Sequence, residues 1–174
     1  MFVNGESILG QTGAARTHLT RSGVGPGDLF LFFGLFAEEH SGERHHRLFG
    51  YLRVRTACVV SELGKEERSE LAKLRHPHLI GDVRSEDVIY RGEGAVARTV
   101  LPELRLTRPG GPVSRWCVPA WLADRGLSYH GRPDRWSTAG ELSVVSRGQE
   151  FVCDIAGDPV ARAWAEEVVA RMRA

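Results

Sequence analysis

The chain has 174 residues, enough for one domain with a sizeable core, whereas two full domains would be cramped. Its 23 Lys plus Arg against 22 Asp plus Glu leave a net charge of +1, so no global field recruits nucleic acid or a membrane surface, and any nucleic-acid site has to be local. No segment approaches the roughly 20 apolar residues of a membrane span and the start, MFVNGESILG, carries no basic leader, which points to a soluble, cytoplasmic protein.

In chain order, "QTGAARTHLTR" (residues 11–21) combines good helix formers with a Ser-Gly stop and predicts a short first helix with little before it. "GVGPG" is a turn preset by Pro26, and the apolar run at residues 29–36 predicts a strand buried on both faces. After the polar loop "AEEHSGERHH" the run "RLFGYLRVRTACVV" returns as a second strand, the two forming a hairpin. A charged helix over residues 65–74 precedes "HPHL". Further on, "DVIYRG" and "GAVARTV" read as two short strands, "ELRLTRPGG" ends in a tight turn, and "SRWCVPAWL" is a strand entering a turn or short helix. "LSYHGRPDRWS" is a punctuated polar loop, followed by a strand over residues 141–154. Asp158 and Pro159 supply the N-cap and first-turn proline of a last helix over residues 160–172, with Val160, Trp164, Val168 and Met172 on one stripe.

Many short strands with glycine turns and few helices predict an α+β fold, a small mixed β-barrel or strongly curved sheet with an N-terminal and a C-terminal helix. The glycines of "GVGPG" precede a strand, and on that order the P-loop and dinucleotide-binding readings fail. Cys58, Cys117 and Cys153 lie far apart without a CxxC pairing and read as reduced, buried thiols. Apart from Lys65 and Lys73 every basic side chain is arginine, whose planar fork suits phosphates and base edges, although a GC-rich genome gives the same bias.

"GQTGAARTHL", "GVGPGDLFLFFGLF", "HRLFGYLRV", "HPHL", "SYHGRPDRWS" and "SVVSRGQEFV" occur in one order, from about residue 9 to the end. That set resembles the third of the nucleotide-modification-associated domain families, whose members are associated with systems that modify bases in phage and bacterial DNA. The resemblance also implies an additional N-terminal strand and proline-rich stretch that this sequence lacks, so residues 1–174 read as one such domain, possible truncation at the start included. The "GPGDLFLFFGLF" and "RLFGYLRV" pair is similar to a strand pair of barrels related to the pseudouridine synthase and archaeosine transglycosylase domain, an analogy of fold that says little of function.

Two segments carry the chemistry. Ser128, Tyr129, His130, Arg132, Arg135 and Trp136 bring stacking faces, guanidinium forks and an imidazole to one loop, which suits an extruded base. The same residues also fit a surface loop pinned to the barrel by its aromatic rings. In the second segment Ser146, Arg147 and Gln149 offer hydrogen-bonding groups to a base edge or phosphate, and Glu150 is the candidate general acid/base with His130 as its partner. Strand alternation puts Arg147 and Gln149 on one face and Ser146 and Glu150 on the other, unless the chain bulges at Gly148. Gln11 is a further candidate on the first helix. His40, His45 and His46 in one loop, and His76 and His78 around Pro77, lack a metal-site spacing, so no metal is expected.

The sequence therefore reads as a nucleobase- or nucleotide-handling domain of a DNA base modification system. A non-catalytic reader of modified bases, and a structural subunit completed by a partner chain that supplies the missing N-terminal strand, are the other readings. No residue pattern demands NAD, folate or S-adenosylmethionine.

Overall fold

The computed structural model of the chain describes residues 1–3, 5–73, 84–137, 140–145 and 150–174. Eight strands are present among them: β1 Phe2–Val3, β2 Glu6–Gln11, β3 Leu29–Ala37, β4 Arg44–Val59, β5 Val88–Val96, β6 Arg115–Cys117, β7 Trp136–Ser137 and β8 Glu141–Ser143. The helices are α1 Gly13–Arg21, α2 Lys65–Lys73, α3 Trp121–Arg125 and α4 Pro159–Arg173. A strongly curled antiparallel sheet has the order β1-β2-β5-β4-β3, and a three-stranded sheet the order β6-β8-β7. The fold is thus mixed α+β with a curled sheet and helices near both ends, as the sequence predicts. No helix among the described residues is long and apolar enough to cross a membrane. The chain divides into two compact units, the first built from Met1–Phe30 and Tyr51–Ala95, the second from Leu31–Gly50 and Val96–Ala174.

In the first unit β2 pairs along its length with β5, from Glu6 opposite Glu93 to Gln11 opposite Val88. The predicted first helix is corrected here: Gln11 closes a strand, and the helix begins only at Gly13. Ser7 and Ile8 are buried on β2, and Ile8 packs with Val60, Leu71 and Ile89. The two short strands predicted from "DVIYRG" and "GAVARTV" are one strand, β5. Gly92 and Gly94 interrupt the residue pattern without breaking the strand, because they lie where backbone approaches closely: a Cβ on Gly92 would stand 1.8 Å from the carbonyl oxygen of Arg53. On the outer surface Glu6 accepts from Arg91 and Arg55, and the Arg91 hydrogen bond foremost holds its carboxyl below the usual range.

The second unit has an aromatic core. Trp116 and Trp136 both stand opposite Leu142, from β6 and β7 on either side of β8. Phe33, Leu106, Val118, Leu127 and Phe151 pack against the cluster of Trp116, Leu142 and Val144. Phe33 meets Trp116 edge to face at 4.9 Å and stacks on Phe151 at 5.8 Å. β3 is the outermost strand of its sheet and is not buried on both faces as predicted: Leu35 and Phe36 are exposed. Of the three histidines expected in one polar loop, His40 lies exposed in the turn before β4, whereas His45 and His46 belong to β4. His45 is buried, and His46 accepts the Trp116 indole N–H on Nδ1 at 3.0 Å. Alternation along β6 turns Trp116 inward and leaves Cys117 exposed, against the expectation of a buried thiol, while Cys58 and Cys153 are half-buried and burial pushes both thiols up.

Of the strand predicted over residues 141–154, Glu141–Ser143 pairs among the described residues, residues 146–149 lie outside them, and Phe151 serves the core without belonging to a described strand. α4 starts where predicted. Asp158 Oδ1 accepts from the amides of Val160 and Ala161 at 2.9 and 3.0 Å, and Oδ2 accepts from Arg125 Nε at 2.9 Å. Its buried face is Ala161, Ala165, Val168, Val169 and Met172, so the predicted stripe is rotated, with Val160 exposed on the first turn. Asp158→Ala is expected to lower the thermal midpoint, and Asp158→Asn, which keeps an acceptor for the two amides, to lower it less. Equal losses in a melting experiment would assign the effect to the Arg125 pair and not to the cap.

Candidate functional site

The loop at residues 127–137 is built inward from Leu127 and Trp136, both in the aromatic core, and is strapped to the segment that carries Glu150. The amide of Ser128 donates to the Val152 carbonyl at 2.9 Å, and the Val152 amide donates back to Ser128 Oγ at 2.8 Å. The flanks of the two chemistry-bearing segments therefore meet. Ser146, Arg147 and Gln149 lie outside the described residues, as do His76 and His78.

His130 is fully buried between these strands of contact. Its Nε2 accepts the Val145 amide at 3.3 Å, which places the ring proton on Nδ1, where it is donated to the Ser128 carbonyl at 2.8 Å. The Phe151 ring stands edge-on at 4.7 Å, and the His130 carbonyl accepts the Trp136 indole N–H at 2.7 Å. Burial lowers the pKa of His130, outweighing the Ser128 bond that acts the other way. The expected proton-transfer partner of Glu150 thus has both ring nitrogens committed to backbone and no surface open to a ligand. Its position fixes the loop.

Tyr129, by contrast, is about half exposed, at 49%, and has φ of 66°. Among the described residues it is the one non-glycine with a positive φ. For a bulky side chain this left-handed conformation costs roughly 1–2 kcal/mol. It persists because both neighbours are locked: Ser128 by its paired bonds to Val152, His130 by its ring and by its amide, which donates to the Leu127 carbonyl at 3.0 Å. Strain and exposure coincide on one ring that the fold holds in place.

The remaining candidates separate. Arg132 is exposed and forks onto its neighbour Asp134, with Nε to Oδ1 at 3.0 Å and Nη2 to Oδ2 at 2.7 Å. Such an exposed pair adds little stability, and its guanidinium is available for exchange with another anion. Arg135 Nη1 donates to the Ser143 carbonyl at 3.1 Å and braces β8, and Trp136 is half-buried in the core. Glu150 is half-buried at the described edge of the second segment. Gln11 belongs to the first unit, half-buried at the end of β2. Among the described residues no group of His, Cys, Asp and Glu is arranged to hold a metal ion.

Sequence reasoning missed a cavity of about 420 Å³ in the second unit, lined by Arg108, Arg115, Glu141 and the turn 109–112. Arg108 Nη1 lies 2.7 Å from Glu141 Oε1 and Arg115 Nη1 3.5 Å from Oε2. The carboxylate is mostly enclosed and faces two cations, so the cavity wall keeps a positive excess. The Pro-Gly-Gly-Pro turn between two arginines was the available signal.

No curated protein and no solved structure matches the sequence significantly. A family model does match, over residues 2–154, taking in β1 and the first residues of β2 ahead of the first motif noted above and ending before α4; the chain belongs to the nucleotide modification associated domain 3 family.

Proposed function

We propose that the domain engages a nucleobase or nucleotide within a DNA base modification system, with Tyr129 as the stacking surface. The observation that carries the reading is the strained, exposed and doubly anchored Tyr129. A ring kept out of the core at an energetic cost suits stacking against a base, an interaction worth about 1–3 kcal/mol per base. Arg132 is the proposed phosphate contact, because its partner, Asp134, is an exposed surface carboxylate. Glu150, Ser146, Arg147 and Gln149 are the proposed edge-reading groups on the adjoining segment, and Glu150 is the proposed general acid/base if a reaction occurs there.

The reader reading gains from one specific feature: His130 has no nitrogen to give to proton transfer. Binding needs only the displayed ring and its polar surround. Tyr129→Gly separates the contributions. It is expected to raise stability by about 1 kcal/mol, since glycine adopts φ of 66° without strain. The same variant is expected to weaken binding of modified and unmodified oligonucleotides by roughly 5- to 150-fold, the loss of one stacked base. Denaturant melts and fluorescence titrations at two salt concentrations give both readouts. Undiminished binding by Tyr129→Gly would remove the proposal, and no binding by the parent chain would favour the structural-subunit reading. Turnover that survives Glu150→Gln in a reconstituted pathway would withdraw the acid/base role.

A further inference from the structure

We propose that the cavity lined by the turn at residues 109–112 is a binding site for a phosphate group, held between the Arg108 and Arg115 guanidinia. The site lies within the second unit and does not rest on the reading of Tyr129.

Thr107 bridges Trp116, and the Arg108 amide donates to the Arg115 carbonyl at 2.8 Å, so the two arginines stand opposite one another at the neck of a hairpin. The turn beyond them is closed by the Gly111 amide on the Arg108 carbonyl at 3.0 Å and by the Arg115 amide on the Pro112 carbonyl at 2.8 Å. Pro109 and Pro112 stiffen it, while Gly110 and Gly111 put no side chain into the space it borders. Like charges directly opposite one another across a strand pair destabilise it. A hairpin that keeps two facing arginines needs a counter-charge.

Glu141 supplies half of it. The residue lies opposite Cys117 on β6 and Ser137 on β7, so its backbone is fixed from both sides. Its side chain is only 13% exposed, with Oε1 2.7 Å from Arg108 Nη1 and Oε2 3.5 Å from Arg115 Nη1. The second contact is longer than a charge-assisted hydrogen bond, which spans about 2.7–2.9 Å. One carboxylate thus neutralises Arg108 and holds Arg115 loosely, and no other ion pair reaches either guanidinium among the described residues. One positive charge is left over beside a concave space of about 420 Å³.

An anion completes this arrangement, and phosphate is the class that fits. A carboxylate presents two oxygens in one plane and is matched by a single fork, whereas the tetrahedral oxygens of a phosphate accept from two guanidinia at once. Ligand pockets run to roughly 300–1,000 Å³, so this one has room for the group that carries the phosphate.

The test is an NMR titration of the whole chain at constant ionic strength, following the Gly110 and Gly111 amides and the Nε–H signals of Arg108 and Arg115. The probes are inorganic phosphate, a nucleoside 5′-monophosphate, dimethyl phosphate and the unphosphorylated nucleoside. Saturable shifts are expected with the phosphates at concentrations on the order of 1–10 mM, and none with the nucleoside. Tighter binding of the monophosphate than of dimethyl phosphate would identify a free nucleotide as the source, and the reverse order a nucleic-acid backbone. Arg108→Gln and Arg115→Gln are each expected to weaken binding about tenfold, because either leaves one cation facing one carboxylate. Arg162→Gln, at an exposed position of α4, changes the net charge equally and is expected to leave the affinity unchanged. Glu141→Gln releases both guanidinia and is expected to tighten binding about threefold, the opposite of what damage to the fold would do. Tyr129→Gly should leave all these shifts intact, so failure of the stacking reading and failure of this site are separately visible. Absence of saturable shifts, equal affinity in the parent, Arg108→Gln and Arg115→Gln, or an equal loss in Arg162→Gln overturns the site.

Discussion

Gly92→Ala is expected to prevent the chain from folding to a soluble product. The added Cβ would stand 1.8 Å from the carbonyl oxygen of Arg53 and 2.8 Å from the amide nitrogen of Arg55. Both are backbone atoms of β4 and have no rotamer by which to retreat. Relief requires β5 to move away from its neighbour, losing ladder hydrogen bonds and the packing of Ile89 and Tyr90 on either side. A loss above about 4 kcal/mol is the consequence, a large part of the 5–15 kcal/mol that holds an ordinary domain together. Gly94→Ala should behave similarly, because its Cβ would meet the Ser7 side chain at 2.3 Å and the Tyr51 carbonyl at 2.4 Å. Gly131→Ala, with open space around it, is the control and should fold as the parent does. Circular dichroism and denaturant midpoints decide the matter; a normally folded Gly92→Ala would mean that these strands do not approach as described.

The second large effect is acid sensitivity with a named origin. His130 and His46 both have pKa values lowered, first of all by burial. In the unfolded chain each returns to about 6.5. The unfolded state thus binds more protons in this range, and stability rises with pH. Their contribution is fully present above about pH 7 and is lost as the pH falls below about 6.5 toward the lowered folded values. Protonated His130 would turn a second N–H against the Val145 amide, and protonated His46 would do the same against the Trp116 indole. His130→Ala should cost about 3 kcal/mol at neutral pH, from the cavity and the two orphaned backbone groups, and should flatten the pH dependence between about pH 7 and 5. Urea midpoints at these two pH values check both statements. Glu6 and Glu43, held low mainly by hydrogen bonds from Arg91 and Arg105, act in a separate window below about pH 4.5, where their stabilisation is lost on protonation. A pH slope unchanged from the parent's in both His130→Ala and a His46 variant would assign the acid response to other groups.

What the sequence made legible were features encoded within a few residues. α2 and the start of α4 follow from charge patterning and from the Asp158-Pro159 pair, and the β3 and β4 runs follow from continuous apolar stretches. Features that depend on distant partners were hidden. The glycines of "GEG" look like a break, and only the nearby backbone of Arg53 and Tyr51 explains why they continue a strand. A histidine in a polar loop looks available for chemistry, and only Val145, fifteen residues away, shows that its second nitrogen is occupied. At Tyr129 composition pointed to the ring, while the backbone angle that sets it apart carries no sequence signature. The Thr12-Gly13 junction reads in sequence as the first turn of a helix that starts at Gln11, because β2 is short and its polar and apolar residues mix.

All three borders between the compact units fall inside strands: at Phe30 and Leu31 in β3, at Gly50 and Tyr51 in β4, and at Ala95 and Val96 in β5. A gene split or a reporter insertion at any of these points would cut a hydrogen-bonded ladder and leave frayed ends on both products. Permuted or two-piece versions of the protein are better opened in the turn at residues 38–43, where the chain reverses outside the paired strands.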